Sequence, residues 1–199
     1  MAVFTTVNAL NRDIDKYLIS LLTDTETLAI YTNASKALPF DIIMASFCTV
    51  LVPKITKLIS ENENSEAAGL YKNFLKVSYV TTGILCGAAI SGAPQLMKFL
   101  YSEKYINGLP VFCIYILVDL LRFTNITLIL SAAGKTKWLM VSGVIALGFN
   151  AFLNVGLYYV SGVIGPAIAT LVTTALLGVF MLKKSAHVLN SKISDFFDF

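Results

Sequence analysis

Six long runs of apolar residues, separated by short polar stretches, fill nearly the whole chain. An α-helix needs about 20 mostly apolar residues to cross the hydrocarbon core of a bilayer. The pattern therefore predicts an all-α fold, a polytopic integral membrane protein with six transmembrane helices. These helices are predicted over residues 2–22, 28–52, 74–97, 109–133, 138–160 and 162–182.

Prolines and glycines refine this prediction. Pro39 lies inside the second run and is expected to kink that helix, because proline removes one backbone hydrogen bond. Pro53 is expected to follow the end of the same helix. Gly83 and Gly87 are four residues apart, a spacing that allows a second helix to approach closely. The one long connection is predicted to be a polar loop over residues 54–73.

Composition supports a membrane protein. The chain is 56% hydrophobic and only 14% charged, whereas soluble domains carry roughly 25% charged residues. This composition excludes a soluble globule and also a disordered chain, which would need few apolar residues. Lysines concentrate in alternate loops and in the tail, so the positive-inside rule predicts that both termini are cytoplasmic. We expect one membrane bundle over residues 1–185 and a cytoplasmic tail over 186–199.

A few charged side chains interrupt the first apolar run. Ionisable residues within a membrane helix are costly and mark candidate functional positions. Arg12, Asp15 and Lys16 are spaced so that they share one helix face. Because a guanidinium presents a planar fork that suits phosphate oxygens, this face is a candidate site for an anionic headgroup. The alternative is that the helix begins at Asn11 and that these charges lie at the membrane surface.

Two further runs carry charges. Asp119, Arg122 and Asn125 form a stripe on the fourth predicted helix, either lining a cavity or forming an intramembrane ion pair that fixes helix packing. Lys36 and Asp41 flank the predicted kink of the second helix. Lys36 is a further candidate for substrate binding, or its side chain reaches outward to the membrane interface.

The sequence shows no catalytic arrangement. It lacks a Ser/His/Asp set and a P-loop, so we expect no enzyme activity, no cofactor, no bound metal and no ATP hydrolysis. We also expect no nucleic-acid partner, since basic patches with interleaved aromatic residues are absent. Asn150 and Asn154, one turn apart, are interpreted as contacts between helices. Solute movement would be passive or coupled to an ion, and the candidate coupling residues are Asp13, Asp15, Asp41 and Asp119.

Five short strings occur in order along most of the chain. They read DKYLIS at 15–20, YTNA at 31–34, LVPKI at 51–55, NAFLN at 150–154 and GVIGPAIAT at 162–170. In this order and spacing they resemble the C-terminal half of polysaccharide flippases of the O-antigen transporter type. These belong to the multidrug/oligosaccharidyl-lipid/polysaccharide exporter (MOP) superfamily.

The resemblance implies one half of a MATE-like, twelve-helix flippase in the bacterial inner membrane. Such a protein carries an oligosaccharide linked to undecaprenyl pyrophosphate across the bilayer, and its two bundles rock around a cationic cavity. By the same resemblance, Arg12, Lys16 and Arg122 would line the cavity and hold the pyrophosphate. An N-terminal half or a second copy would have to complete the cavity, within a shell of membrane lipids.

Three alternatives to this reading remain open. The chain could be a truncated membrane assembly protein that transports nothing. It could be half of a MATE-like exporter of small molecules, although acidic rather than basic residues would then be expected to dominate the cavity. A membrane-embedded transferase is the third alternative, but the catalytic acids and metal ligands it needs are missing.

Overall fold

The computed structural model describes residues 2–36, 38, 41–122 and 126–198, with the backbone alone for 2–5, 8 and 41–45. These residues form helices joined by turns, with no β-strand among them, which confirms the all-α fold. In chain order the elements are α1 Ala2–Leu22, α2 Thr25–Ala34, α3 Asp41–Ser60, α4 Asn64–Ser91, α5 Ala93–Tyr101, a 3-10 helix Glu103–Gly108, α6 Leu109–Arg122, α7 Leu128–Ala132, α8 Thr136–Ser161, α9 Ile164–Val188 and α10 Ile193–Phe197.

Four helical stretches in the described part of the chain are long and apolar enough to cross a membrane. Their outer faces carry large apolar side chains that no other described part of the chain covers, such as Phe152 and Val160, which are 75% and 80% exposed. An apolar surface of this kind belongs against lipid or another protein. The four helices therefore indicate a membrane protein. They are α4, the 3-10 helix with α6 (Glu103–Arg122), α8 and α9.

The first predicted helix has the expected bounds, since α1 runs from Ala2 to Leu22. The second predicted helix, residues 28–52, is wrong. The chain forms two separate helices there, because α2 ends at Ala34 and α3 begins at Asp41. The predicted kink at Pro39 lies outside the described residues.

Asp24 caps α2 by accepting a hydrogen bond from the Thr27 backbone N–H at 2.7 Å, which lowers the pKa of Asp24.

Helix ends elsewhere extend beyond the apolar runs. Pro53 lies inside α3 rather than after it, and α3 continues to Ser60. Most of the predicted loop over residues 54–73 is helical, and the turn between α3 and α4 covers only residues 61–63. The physical reason is that lysine and glutamate are good helix formers, so a helix can continue after its apolar residues end.

The third and fourth predicted helices also differ from the structure. The third, residues 74–97, is divided between α4 and α5, and Pro94 lies in the first turn of α5, where proline is well tolerated. The fourth, residues 109–133, is divided between α6 and α7, with residues 123–125 outside the description.

Part of the predicted tail packs against the helices. Helix α9 continues to Val188, and α10 returns the chain to α4. Phe196 on α10 is 1% exposed, and its ring meets Tyr71 edge to face at a centroid distance of 5.2 Å. The end of the described chain therefore contributes to an apolar core that also includes α3, α7 and α9. A second apolar core joins α1, α2, α4, α5, α6 and α9.

Close backbone approach occurs at a different glycine from the predicted pair. A Cβ at Gly83 or Gly87 would meet no atom within 4 Å among the described residues, so no helix packs closely against this pair. At Gly165, by contrast, a Cβ would overlap the backbone carbonyl of Leu157. Gly165 opens α9 just after the turn at Gly162, whose φ of 60° favours glycine. The antiparallel α8–α9 hairpin therefore depends on glycine at its turn.

Gly165→Ala should destabilise the protein by roughly 1–3 kcal/mol, because the added methyl group forces the two backbones apart. Gly156→Ala is the matched control, since Gly156 lies in α8 with open space around its Cβ position. There the change should be neutral or stabilise the helix by up to about 1 kcal/mol. Thermal unfolding in detergent micelles, followed by circular dichroism, measures both variants. Equal melting temperatures for the two variants would contradict the packing at Gly165.

Candidate functional site

A carboxylate is buried where three helices meet. Asp15 on α1 is 1% exposed. Its Oδ2 atom accepts hydrogen bonds from the hydroxyl groups of Tyr31 on α2, at 2.8 Å, and Tyr115 on α6. The two phenol rings meet edge to face with their centroids 6.3 Å apart. One acid therefore ties α1, α2 and α6 together.

The energetics of this contact are those of a buried charged group. Removing an isolated carboxylate from water is very costly unless hydrogen bonds compensate. Each hydrogen bond to a charged group contributes about 1.5–3 kcal/mol. Asp15 is therefore stable at this position only while α2 and α6 present both tyrosine hydroxyls to it.

A second buried acid lies one turn from Tyr115 on the same face of α6. Asp119 is 1% exposed, and its Oδ2 accepts a hydrogen bond from the backbone N–H of Leu38 at 3.1 Å. Leu38 lies in the connection between α2 and α3, so Asp119 holds this connection against α6. We call Asp15, Tyr31, Tyr115 and Asp119 the acid cluster.

The ion pairs among the described residues do not include one between Arg122 and Asp119, so the predicted intramembrane pair is not supported. Arg122 is half-buried at the last residue of α6. A cation is favourable there because the C-terminal end of a helix carries partial negative charge. The third member of the predicted stripe, Asn125, lies outside the described residues.

The charged residues predicted to share one face of α1 differ in their burial. Asp15 is buried in the acid cluster, whereas Arg12 is exposed. Lys16 is half-buried, and its Nζ atom forms an ion pair with Asp13 Oδ1 at 2.6 Å. The side chains are 23% exposed for Lys16 and 46% for Asp13. Arg12 and Lys16 therefore place two basic side chains beside the acid cluster. The charge of Lys16 is neutralised by Asp13.

Lys36 has a local role in the structure. Its ammonium group donates a hydrogen bond to Asn33 Oδ1 at 2.8 Å and lies 5.6 Å from the centre of the Tyr101 ring. The side chain is exposed, and the structure does not bring it into the acid cluster. The side chain of Asp41, the other predicted residue in this region, lies outside the description.

A polar strip runs through the α8–α9 interface. Asn150 and Asn154 on α8 are 2% and 1% exposed, and Thr170 on α9 is equally buried. Asn154 lies eight residues before the turn at Gly162 and Thr170 eight residues after it, so they face each other at one depth. Among the described residues, Asn150 Oδ1, both amide atoms of Asn154 and the Thr170 hydroxyl have no hydrogen-bond partner. The predicted contacts between helices are present as packing but not as hydrogen bonds.

Asn11 makes the polar contact that the two asparagines of α8 lack. Its Nδ2 atom donates a hydrogen bond to the backbone carbonyl of Gly143 at 3.0 Å, which joins α1 to α8.

The described residues contain no group of three His, Cys, Asp or Glu side chains arranged to hold a metal ion.

The two tyrosines of the acid cluster were not predicted as site residues from the sequence. Tyr115 precedes Asp119 by four residues, so it lies on the stripe that Asp119 and Arg122 define, and this spacing was the available signal. Tyr31 begins the string YTNA, which drew attention only for its resemblance to flippases. Neither residue is an acid or a base of the kind that stands out within an apolar run, so a buried phenol leaves little signal in the sequence.

No protein-family model, curated protein or solved structure matches the chain. The fold itself defines an all-α protein whose described residues include four helices suited to a membrane. The resemblance of its five strings to polysaccharide flippases stays a prediction.

Removing one phenol hydroxyl from the acid cluster should destabilise the protein. We expect Tyr115→Phe and Tyr31→Phe each to lower the free energy of unfolding by about 1.5–3 kcal/mol, because each removes a donor to a buried carboxylate. Tyr17→Phe is the matched control, since the Tyr17 side chain on α1 is 62% exposed. Thermal unfolding in detergent compares the three variants. Three equal melting temperatures would show that the cluster does not hold α1 in place.

Proposed function

We propose that this protein is the C-terminal half of a flippase that carries lipid-linked oligosaccharide across the bacterial inner membrane. The observation that carries the proposal is the arrangement of the charged side chains on α1. Arg12 and Lys16 lie on a helix whose Asp15 is anchored to α2 and α6, so the two cations occupy fixed positions at the edge of the bundle. The order of the five flippase-like strings supports the same function.

The chain spans the membrane six times in this proposal, as half of a MATE-like fold with both termini in the cytoplasm. The segments α1 and α2–α3 supply the two spans beyond the four apolar ones. Their charges are tolerated because they face a cavity rather than acyl chains. An N-terminal half or a second copy closes that cavity. The large apolar side chains exposed on the outer faces are then covered by lipid or by this partner.

The substrate is bound through its diphosphate. Arg12 and Arg122, together with Lys16, hold the phosphate oxygens by charge-assisted hydrogen bonds, while the polyprenyl chain stays in the bilayer. The Lys16–Asp13 ion pair adds a step, since the diphosphate must displace Asp13 from Lys16. Substrate release restores this pair, so the empty site is not left with an uncompensated lysine. No chemical bond is made or broken, and the protein is a transporter rather than an enzyme.

Asp15 couples this movement to protons. The ionised carboxylate accepts two phenol hydrogen bonds and fixes α1 against α2 and α6. Loss of these two hydrogen bonds releases α1, which can then move with the bundle that rocks. Asp119 holds the α2–α3 connection through the Leu38 N–H in the same way.

Substitution of the two arginines tests the substrate site. In cells whose surface polysaccharide depends on this protein, Arg12→Ala and Arg122→Ala should each lower export by about tenfold or more. A charge-assisted contact contributes about 1.5–3 kcal/mol, and 1.4 kcal/mol corresponds to a factor of ten. Lys57→Ala is the control, because Lys57 is 74% exposed on α3 and forms only a loose pair with Glu61.

Membrane levels of each variant must match those of the unmodified protein. Unchanged export by an Arg12→Ala/Arg122→Ala double variant would refute the assignment of the site. If export still requires the chain itself, the protein then acts in assembly rather than in transport.

Asp15→Asn tests the coupling. Asparagine keeps the shape and an acceptor oxygen for the tyrosines, but it cannot release a proton at any ordinary pH. We expect the variant to fold and bind substrate while transport in proteoliposomes loses its response to an imposed pH gradient. Asp13→Asn should keep that response and strengthen diphosphate binding, because it frees Lys16. A pH response that persists in Asp15→Asn would exclude Asp15 as the proton carrier.

A further inference from the structure

A groove with a cationic mouth runs along the outside of the α8–α9 hairpin, away from the acid cluster. Its volume is about 380 Å³. Apolar side chains line it on both helices: Val141, Ile145 and Phe149 on α8, and Leu176, Leu177 and Phe180 on α9.

The mouth of the groove is built from Trp138, Phe180 and Lys184. The Lys184 ammonium group lies 4.0 Å from the centre of the Trp138 ring and 5.6 Å from that of Phe180. The indole is 45% exposed. Tryptophan is enriched at the level of lipid headgroups, and a lysine stem there keeps its charged end in the polar layer. The mouth therefore has the composition of a membrane interface.

Several lysines cluster at this end of the hairpin. Lys135 and Lys137 precede Trp138, and Lys183 adjoins Lys184. Among the described residues, none of these four lysines forms an ion pair. A cluster of lysines next to a membrane helix attracts anionic lipid.

The length of the groove matches one leaflet. Trp138 and Phe149 are eleven residues apart on α8, which corresponds to about 16 Å at the rise of an α-helix. The hydrocarbon core is about 30 Å thick, so the groove reaches from the interface to about the midplane. An acyl chain in the same leaflet occupies that depth.

We propose that this groove is a binding site for an anionic phospholipid of the leaflet on the Trp138 side. One acyl chain lies between α8 and α9, and the phosphate group pairs with Lys184, supported by its three neighbouring lysines. Binding at this site is separate from transport, and it does not depend on the identity of the transported substrate.

The chain contains a single tryptophan, so Trp138 reports on the site directly. The protein is reconstituted in phosphatidylcholine vesicles that contain increasing fractions of phosphatidylglycerol with brominated acyl chains, which quench indole fluorescence. Brominated phosphatidylcholine serves as the reference. We expect half-maximal quenching at a mole fraction of phosphatidylglycerol at least about fivefold lower, because one lysine near the surface contributes about 1 kcal/mol.

Lys184→Gln should remove most of this preference, and Lys184→Arg should keep it. Lys57→Gln is the control for a general loss of positive charge, and the preference should survive it. Equal quenching by the two lipids in the unmodified protein would overturn the proposal, as would an equal loss in Lys184→Gln and Lys57→Gln. Two other outcomes would also overturn it: relief of quenching by a polyprenyl diphosphate at far lower amounts than by unlabelled phosphatidylglycerol, or quenching that depends only on the protein-to-lipid ratio.

Discussion

The buried carboxylate of Asp15 fixes α1 against α2 and α6 in this protein. A charge at that depth requires donors, and the structure supplies two phenol groups from different helices. Because the donors come from α2 and α6, the position of α1 depends on both. Asp119 extends the same principle by accepting a backbone N–H from the connection that follows α2. Polar contacts of this kind organise a helix bundle in a membrane. Apolar side chains alone give little preference for another helix over lipid there, since lipid is as apolar as the side chains.

The basic side chains follow from this arrangement. Once Asp15 is turned inward, Arg12 and Lys16 on the same helix are left towards the outside of the cluster. Asp13 then serves as the local counter-ion of Lys16. The four charges of α1 therefore divide into an anchoring acid, a neutralised lysine with its partner and an arginine that is open to a ligand. The proposed transport of an anionic lipid carrier would use these three properties together.

The sequence indicated the helical class and the bounds of α1, and it drew attention to Asp15 and Asp119, which the structure buries. It did not indicate where helices break. The apolar run over residues 28–52 is continuous in composition, yet the chain divides it into α2 and α3. The contacts of Tyr31 and Tyr115 were also not predictable, since a hydrogen bond across 100 positions depends on tertiary packing. The Gly83–Gly87 spacing was misleading for the same reason, because a small-residue pair permits close packing but does not supply a neighbour.

The ion pair between Lys16 and Asp13 has a consequence for biosynthesis. Its members are three residues apart in one helix, so the pair can form as soon as that turn of helix exists. Two opposite charges that neutralise each other within a single segment cost less to place in a bilayer than two that must wait for distant partners. In the proposed six-span arrangement, helix α1 can therefore enter the membrane during translation before α2 and α6 have been made. Asp15 is then the acid in this segment whose hydrogen bonds have to await the completed bundle.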